Sequence, residues 1–493
     1  MRVTHRSWTV VAILLSMFLA AMEMTVVSTA MPTVVGDLGG LHLYAWAFAA
    51  YMLTSTVTVP IYGKLADLRG RKPVMLFGIA LFLVGSFACG HADSMAELIG
   101  FRALQGLGAG AVQPIGLTIV GDLFDARQRA RMQGIFGAVW GLAGLAGPLL
   151  GGAIVHSLGW RWVFYVNLPF GVGAMAVLAW AYHERLERHS HKLDLGGAAL
   201  LTATVLLALL GSRSPRAAMF AIPAAALALA AFVAVERRVR EPLFPLDLFA
   251  QRVIAVASAS GALVGAAMIS MVTFVPLWVQ SVLGATPTQA GASIAFMAVG
   301  WPIASALSGR LLPALGYRRL VRGGLGLVAL AAIALALLLR PGVRLLVPQL
   351  LTFAYGLGLG FANTPLVIAV QASVPWNRRG VATSSTMFFR TIGGTLAVGI
   401  LGGVLANTLA ASGASAEVAE KLLGPERALL PPALVAGLAS SLQGAMSTVF
   451  WAVAAIAAAA FAVSLLFPRL ELAPAPAEPV GQGPGPQPPL APE

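Results

Sequence analysis

Residues 8–31 read WTVVAILLSMFLAAMEMTVVSTAM, and the organisation of the whole chain follows outward from them. The run is apolar or small throughout, except for Glu23 beyond its midpoint. About 20 such residues in an α-helix cross the hydrocarbon core of a bilayer. Arg2 and Arg6 precede the run. A secretory leader would have a shorter apolar region and a small-residue cleavage site, so Trp8–Met31 reads as a first transmembrane span. The totals agree: 58% of the 493 residues are hydrophobic and 10% are charged, with a mean hydropathy of +0.84. Soluble domains carry about 25% charged residues.

Similar runs recur at 43–62, 73–91, 98–121, 134–157, 163–182, 195–211, 217–235, 253–281, 288–309, 320–339, 344–370, 381–406 and 445–467, which predicts an all-α polytopic membrane protein of 14 spans. With the N-terminus inside, 23 of the 32 Lys and Arg residues fall in cytoplasmic segments and 7 in external ones. Arg102 and Arg390 fall within spans. Such an excess marks the cytoplasmic face, so both termini are expected there. The net charge of +13 is spread in short groups between apolar runs, and nucleic acid is excluded as a partner. With Cys89 as the single cysteine, no intrachain disulfide can form. Spans 195–211 and 217–235 lack charge, are rich in Ala and Leu, and read as a lipid-facing hairpin joined at Gly211–Arg216. The longest external segment is 407–444. Its stretch from Glu417 to Gln443 suits either an interfacial amphipathic helix or an ordinary loop. The tail 471–493 is dominated by Pro, Ala and Gly and is expected to be disordered.

The chain also repeats itself. Gly63-Lys64-Leu65-Ala66-Asp67-Leu68-Arg69-Gly70-Arg71-Lys72 matches Gly309-Arg310-Leu311-Leu312-Pro313-Ala314-Leu315-Gly316-Tyr317-Arg318 at an offset of 246 residues. Gly106-Leu107-Gly108-Ala109-Gly110 matches Gly356-Leu357-Gly358-Leu359-Gly360 at an offset of 250. Each match lies in the corresponding span of its half. This divides the chain into a six-helix bundle at 1–190, an inserted hairpin at 191–240, a second six-helix bundle at 241–470 and the tail at 471–493. Parallel repeats of this kind place a substrate cavity between the halves near the midplane.

Several motifs, in order along nearly the whole chain, carry a family resemblance. The loop Gly63–Lys72 is the first. Leu98-x3-Arg102-x2-Gln105-Gly106-x-Gly108 follows in the fourth span, and Gly144-x2-Gly147-Pro148-x2-Gly151-Gly152 in the fifth. Trp160-Arg161-Trp162-x-Phe164-x2-Asn167-x-Pro169-x-Gly171 comes next. The chain resembles the major facilitator superfamily, and within it the fourteen-span drug:proton antiporters. The first-span motif of that branch, Leu-Asp-x-Thr-Ile-Val-x-x-Ala-Leu-Pro, here reads Met22-Glu23-Met24-Thr25-Val26-Val27-Ser28-Thr29-Ala30-Met31-Pro32. The acid is kept but lengthened. The resemblance implies a major facilitator fold of two six-helix bundles with two added central helices, in a bacterial cytoplasmic (inner) membrane.

Glu23 is the one acid well inside any span. A charge at that depth is costly and usually faces a cavity or a partner. Desolvation favours the neutral form of a carboxyl, which suits Glu23 to proton coupling. Its candidate partner is Arg390, the base deep in the second half. Arg102 either snorkels outward as an anchor or projects inward and tunes proton binding. Asp67, beside Arg69, Arg71 and Lys72, can pair with a base or cap a facing helix N-terminus and so act as a cytoplasmic gate, or the loop can serve topology alone. Gly63 and Gly70 are expected to permit its turn. Gly144, Gly147, Gly151 and Gly152 clear a helix face for close approach and Pro148 bends it. This is generic packing or, as the resemblance implies, a seal on the external side. Gln113 and Asn363 are candidate polar lining of the substrate path, and Trp140, Phe274, Trp278, Met297 and Trp301 a candidate apolar surface.

No Gly-x4-Gly-Lys-Ser/Thr stretch occurs, so transport would draw on a gradient. No nucleophile constellation or metal-ligand spacing suggests an enzyme, a cofactor or a bound metal. The leading expectation is proton-coupled export of lipophilic or amphipathic, often cationic, compounds by a monomer in contact with membrane lipid. In that reading ionised Glu23 binds the substrate or is freed by it, and reprotonation from outside releases it. Export or flipping of a lipid or glycolipid is the alternative.

Overall fold

The computed structural model describes residues 4–124, 126–184, 195–211, 215–239, 246–375, 379–411 and 431–468, and they are helical almost throughout. The helices are α1 (Arg6–Leu38), α2 (Tyr44–Arg69), α3 (Arg71–Gly90), α4 (Met95–Leu123), α5 (Ala126–Ser157), the single turn α6 (Trp162–Tyr165), α7 (Asn167–Ala181), α8 (Leu195–Gly211), α9 (Pro215–Glu236), α10 (Arg252–Ser281), α11 (Pro287–Leu338), α12 (Leu346–Ala372), α13 (Arg379–Ala411) and α14 (Pro432–Ser464). Eleven helices among the described residues are long and apolar enough to cross a membrane. α2 and α8 lie outside that set, and α11 counts once although Gly316 (φ 73, ψ 165) interrupts its helical backbone.

The internal repeat is visible in the backbone and in the packing. Gly70 and Gly316, 246 residues apart, adopt the same left-handed, extended conformation (φ 96, ψ 148 at Gly70), which L side chains rarely adopt. Each therefore ends one helix and starts the next within a single residue. The glycine triads do matching work. Gly106 and Gly110 of α4 face Tyr51, Ser55 and Thr58 of α2, while Gly108 faces Gly78 and Phe82 of α3. Gly356 and Gly360 of α12 face Met297 and Trp301 in the first part of α11, while Gly358 faces Gly324 and Val328 in its second part. The contacted residues Tyr51, Ser55, Gly78 and Phe82 lie 246 positions before Met297, Trp301, Gly324 and Val328.

Three expectations change. Gly63 is not part of the turn: it lies within α2 with open space where a Cβ would stand, and Gly70 alone makes the reversal. The segment 309–315 is helical rather than loop, because Pro313 is accommodated inside α11 and the helix runs on to Gly316. The segment between the last two spans, expected at 407–444, is shorter. α13 extends to Ala411 and α14 begins at Pro432, where proline at the first helical position costs no hydrogen bond. Residues 432–443 thus continue a long apolar helix and are not an interfacial one; 412–430 lie outside the described residues, as do the turn 212–214 and the tail 471–493.

The hairpin α8–α9 packs against itself, and α8 also touches α2 and α13. The seam between the two halves runs along α5 with α11, α2 with α13, and α1 with α10. Its close contacts pair Gly144 with Ala298, Gly152 with Thr288, the Pro148 carbonyl with Gly291, and Ala45 with Gly402. Hydrogen bonds reinforce it at the end of the bundle that carries Gly39 and Gly284. The Tyr44 hydroxyl donates to the Thr273 carbonyl (2.6 Å), and Gln280 Nε2 donates to the Thr29 carbonyl (3.0 Å).

A Cβ at Gly108 would stand 2.6 Å from the Gly78 carbonyl oxygen, and one at Gly358 2.8 Å from the Gly324 carbonyl oxygen. Gly108→Val and Gly358→Val are each expected to destabilise the protein by about 1–3 kcal/mol, the usual cost of overpacking. Thermal denaturation of purified protein in detergent measures this, and wild-type stability in either variant would contradict the matched packing.

Candidate functional site

A buried polar cluster lies inside the first half. Glu23 of α1 is 1% exposed and Arg102 of α4 is 0% exposed. Arg102 Nη1 donates to Glu23 Oε1 at 2.6 Å and to Gln105 Oε1 at 2.7 Å. Its Nε donates to the Ala47 carbonyl at 3.3 Å, and its guanidinium lies over the Tyr51 ring, 4.3 Å from the centroid. Asn167, the first residue of α7, donates through Nδ2 to Glu23 Oε2 (2.7 Å) and to Ser86 Oγ (3.0 Å). Ser86 of α3 donates to the Phe164 carbonyl (2.8 Å).

Local sequence explains how these groups meet. Arg102 and Gln105 are three residues apart on α4 and share one helix face. Gly85 of α3 lets the Gln105 backbone approach, since a Cβ there would stand 2.5 Å from Gln105 N and Cα. The register of α4 is fixed at its start, where Ser94 accepts from the Glu97 amide (3.2 Å), a standard helix cap. Burying a pair of opposite charges costs much of what their attraction returns. The neutral amide, hydroxyl and carbonyl partners reduce that cost. Arg102 Nη2, Gln105 Nε2 and Asn167 Oδ1 remain enclosed without a protein partner.

This geometry corrects the expected pairing of Glu23 with Arg390. The carboxylate is taken by Arg102 within its own half, and Arg390 of α13 instead donates through Nη1 to Asn363 Oδ1 of α12 (3.2 Å). Arg102 does not snorkel outward; it turns into the interior of the bundle, toward α1 and α2. Glu23 is sealed from solvent in this conformation, so it offers no direct contact to a substrate. Among the expected lining residues, Phe274, Trp278 and Met297 are buried. Phe274 packs near Tyr44, and Trp278 donates to Gln443 Oε1 (2.5 Å). These three are core. Gln113, Trp301 and Asn363 are half-buried. Trp140 is 43% exposed on the same face of α5 as Gly144, Gly147 and Gly151, which turn toward α1 and α11.

The fifth-span glycines divide their work between two partners. Gly147 and Gly151 admit Thr25, Val26 and Thr29 of α1, while Gly144 and Gly152 admit Ala298 and Thr288 of α11 across the seam. At the other end of the bundle, the Lys64 and Asp67 side chains lie outside the described residues. Arg69 is exposed, and Lys72 Nζ donates to the Ala179 carbonyl (2.6 Å). The group that caps the α3 N-terminus is Glu184, whose carboxylate accepts from the amides of Arg71 (2.8 Å) and Lys72 (3.1 Å). A carboxylate there is favoured by the helix dipole.

Sequence reading passed over Gln105, Asn167, Ser86, Gln280 and Glu184 as functional positions. The first two stood in quoted motifs, and a polar side chain within an apolar run was signal enough to include them. Nothing in the sequence ties Gln280 or Glu184 to their distant partners.

An all-helical chain of long apolar helices, built on a repeated unit and holding an ion pair deep inside one half, has the form of a membrane transporter and not of an enzyme. Residues 13–398 match the family model described as Major Facilitator Superfamily, and the chain belongs to that family. It is 37% identical over 412 residues to Multidrug transporter protein MdtP of Bacillus subtilis (strain 168), covering 82% of this chain and 76% of that protein. It is also 37% identical over 410 residues to Multidrug resistance protein 3 of the same organism, covering 81% of this chain and 79% of that protein. The fold is similar to the crystal structure of a bacterial homologue of the human lysosomal transporter Spinster in an inward-facing and unoccupied conformation, with a TM-score of 0.67, 17% identity, and coverage of 94% of this chain and 97% of that one.

Removing one partner of a buried pair costs about 3–5 kcal/mol, because the other charge is left uncompensated. Arg102→Met is expected to lose stability on that scale, and Glu23→Gln added to it to recover part of the loss. Thermal denaturation of the three proteins measures it; absence of recovery would contradict the pair. At the seam, a Cβ at Gly152 would stand 2.8 Å from Thr288 N, so Gly152→Leu is expected to part the halves there. In a Thr33→Cys, Cys89→Ser background, labelling by an impermeant maleimide is expected to rise about tenfold, a population shift of about 1.4 kcal/mol.

Proposed function

We propose that this chain is a proton-driven exporter of lipophilic or amphipathic compounds that works by alternating access as a monomer in a bacterial cytoplasmic membrane. Fourteen passes follow when α11 is counted as two and α2 and α8 are added to the eleven apolar helices. The Lys and Arg distribution supports cytoplasmic ends, and the repeat supports halves at 1–190 and 241–470 with the hairpin 191–240 between them. The names of the two Bacillus relatives support drug-like substrates.

One observation carries the coupling: α1 holds both the buried acid and the seam. Glu23 meets Arg102 and Asn167, and Thr25 and Thr29, further along α1, meet Gly147 and Gly151 of α5, the helix that faces α11 across the seam. The Thr29 carbonyl accepts from Gln280 of the other half. When a proton neutralises Glu23, the Coulomb attraction to Arg102 is lost and a buried cation is left unpaired. That state is costly, and repositioning α1 relative to α4 and α7 relieves it. The same movement shifts Thr25 and Thr29 against α5 and disturbs the Gln280 tie. Protonation and opening of the sealed end thereby share one rigid element. Substrate acts by favouring the arrangement in which Glu23 is ionised, without touching it.

The test is proton release from purified protein on addition of lipophilic compounds. Wild-type protein is expected to release protons on substrate addition in weakly buffered solution, and Glu23→Gln to release none while still binding substrate. Release that survives in Glu23→Gln would move the coupling site elsewhere. A lipid that triggers release where drug-like compounds do not would favour the lipid-export reading.

A further inference from the structure

Arg390 is the half-buried cation within a span that the coupling scheme leaves unused. It lies well inside α13, and its side chain is half-buried between α10 and α12. α10 comes close enough through Gly265 that a Cβ there would stand 2.9 Å from Arg390 Cγ. The stem of the side chain is therefore fixed and only the guanidinium is free to reach other groups. Among the described residues the guanidinium donates through Nη1 to Asn363 Oδ1 at 3.2 Å. No carboxylate among them pairs with it, and Glu23 is already committed to Arg102. The side chain keeps part of its surface accessible.

Asn363 and Arg390 lie on the sides of α12 and α13 that face each other. On α13 the opposite surface is taken up: Phe388, Phe389 and Ile392 pack against Leu201 and Phe232 of the hairpin. The guanidinium points away from that apolar cover. A cation at membrane depth without a counter-charge is expensive, and a planar fork of N–H donors suits a carboxylate or another small anion.

We propose that Arg390, held by Asn363, is an anion-binding subsite in the substrate path, and that the preferred substrates are amphipathic acids with an apolar body and one anionic head. The head would lie on Arg390. This deepens the exporter reading and rests on it, and it replaces the expectation of mainly cationic substrates.

The test compares two probes of matched body and opposite head: 1-naphthylacetate and (1-naphthylmethyl)trimethylammonium. Their binding to the full-length protein in nanodiscs of zwitterionic lipid is measured by calorimetry without a proton gradient, so the outcome does not depend on coupling at Glu23. Wild-type protein is expected to bind the carboxylate more tightly than the ammonium. Arg390→Met is expected to weaken the carboxylate by about tenfold or more, the scale of a lost charge-assisted hydrogen bond, and to leave the ammonium unchanged or tighter. Arg390→Lys, which keeps the charge but not the fork, is expected to retain part of the preference, and it replaces Arg390→Met if that variant does not fold. Lysophosphatidylglycerol is added as a competitor. Displacement of the carboxylate that requires Arg390 identifies an anionic lipid head as an occupant of the same subsite, and no displacement restricts the subsite to free acids. Equal loss of both probes in Arg390→Met, an unchanged preference in Arg390→Lys and Arg390→Met alike, or tighter binding of the ammonium by wild-type protein overturns the proposal.

Discussion

Two helices in a bilayer gain little from burying apolar side chains against each other, because lipid serves those side chains equally well. Close backbone contact is what remains, and the architecture depends on it. α4 enters the groove between α2 and α3 through Gly106, Gly108 and Gly110, and α12 enters the two parts of α11 through Gly356, Gly358 and Gly360. α5 reaches α1 and α11 through Gly144, Gly147, Gly151 and Gly152. At most of these positions the mating surface includes backbone, so a side chain there displaces a helix. The polar cluster depends on the same condition: Gln105 reaches its place beside Arg102 only because Gly85 gives way to it.

Within that frame the ion pair joins three helices at one point. Glu23 comes from α1, Arg102 from α4 and Asn167 from α7. Their contacts remain within one half, whereas the seam contacts run between halves. α1 belongs to both sets, and the proposed coupling uses this to turn a change of charge in the first into a change of position in the second. Arg390, in the opposite half, has no carboxylate partner among the described residues, and the two halves therefore differ in chemistry although they repeat in fold.

The sequence made the helices legible because apolar length is a strong signal, and the repeat legible because glycine spacing records contacts between backbones. The wrong partner for Glu23 has a physical reason. Arg390 was chosen for its depth, but depth along a helix does not give the direction in which a side chain turns, and Arg102, nearer its helix end, turns inward. α14 starts at Pro432, well before the apolar run at 445–467, because proline is well suited to a first turn. Aromatic character marks Phe274 and Trp278 as candidate lining, yet aromatic rings fill core space equally well. Asn167 was in view as part of a motif; that its amide reaches Glu23 depends on how α7 is seated, which no local pattern encodes.

The ties described across the seam hang largely on Tyr44 and Gln280. A neutral hydrogen bond contributes about 0.5–1.5 kcal/mol net, whereas inverting a 99:1 balance takes about 5.5 kcal/mol. Such ties hold a conformation without locking it. The hydrogen bonds add only a weak latch to the packed seam, and in the proposed cycle the balance between conformations is left to whatever ligand or proton binds one of them better. The driving force would then go to direction, and little of it to breaking polar ties.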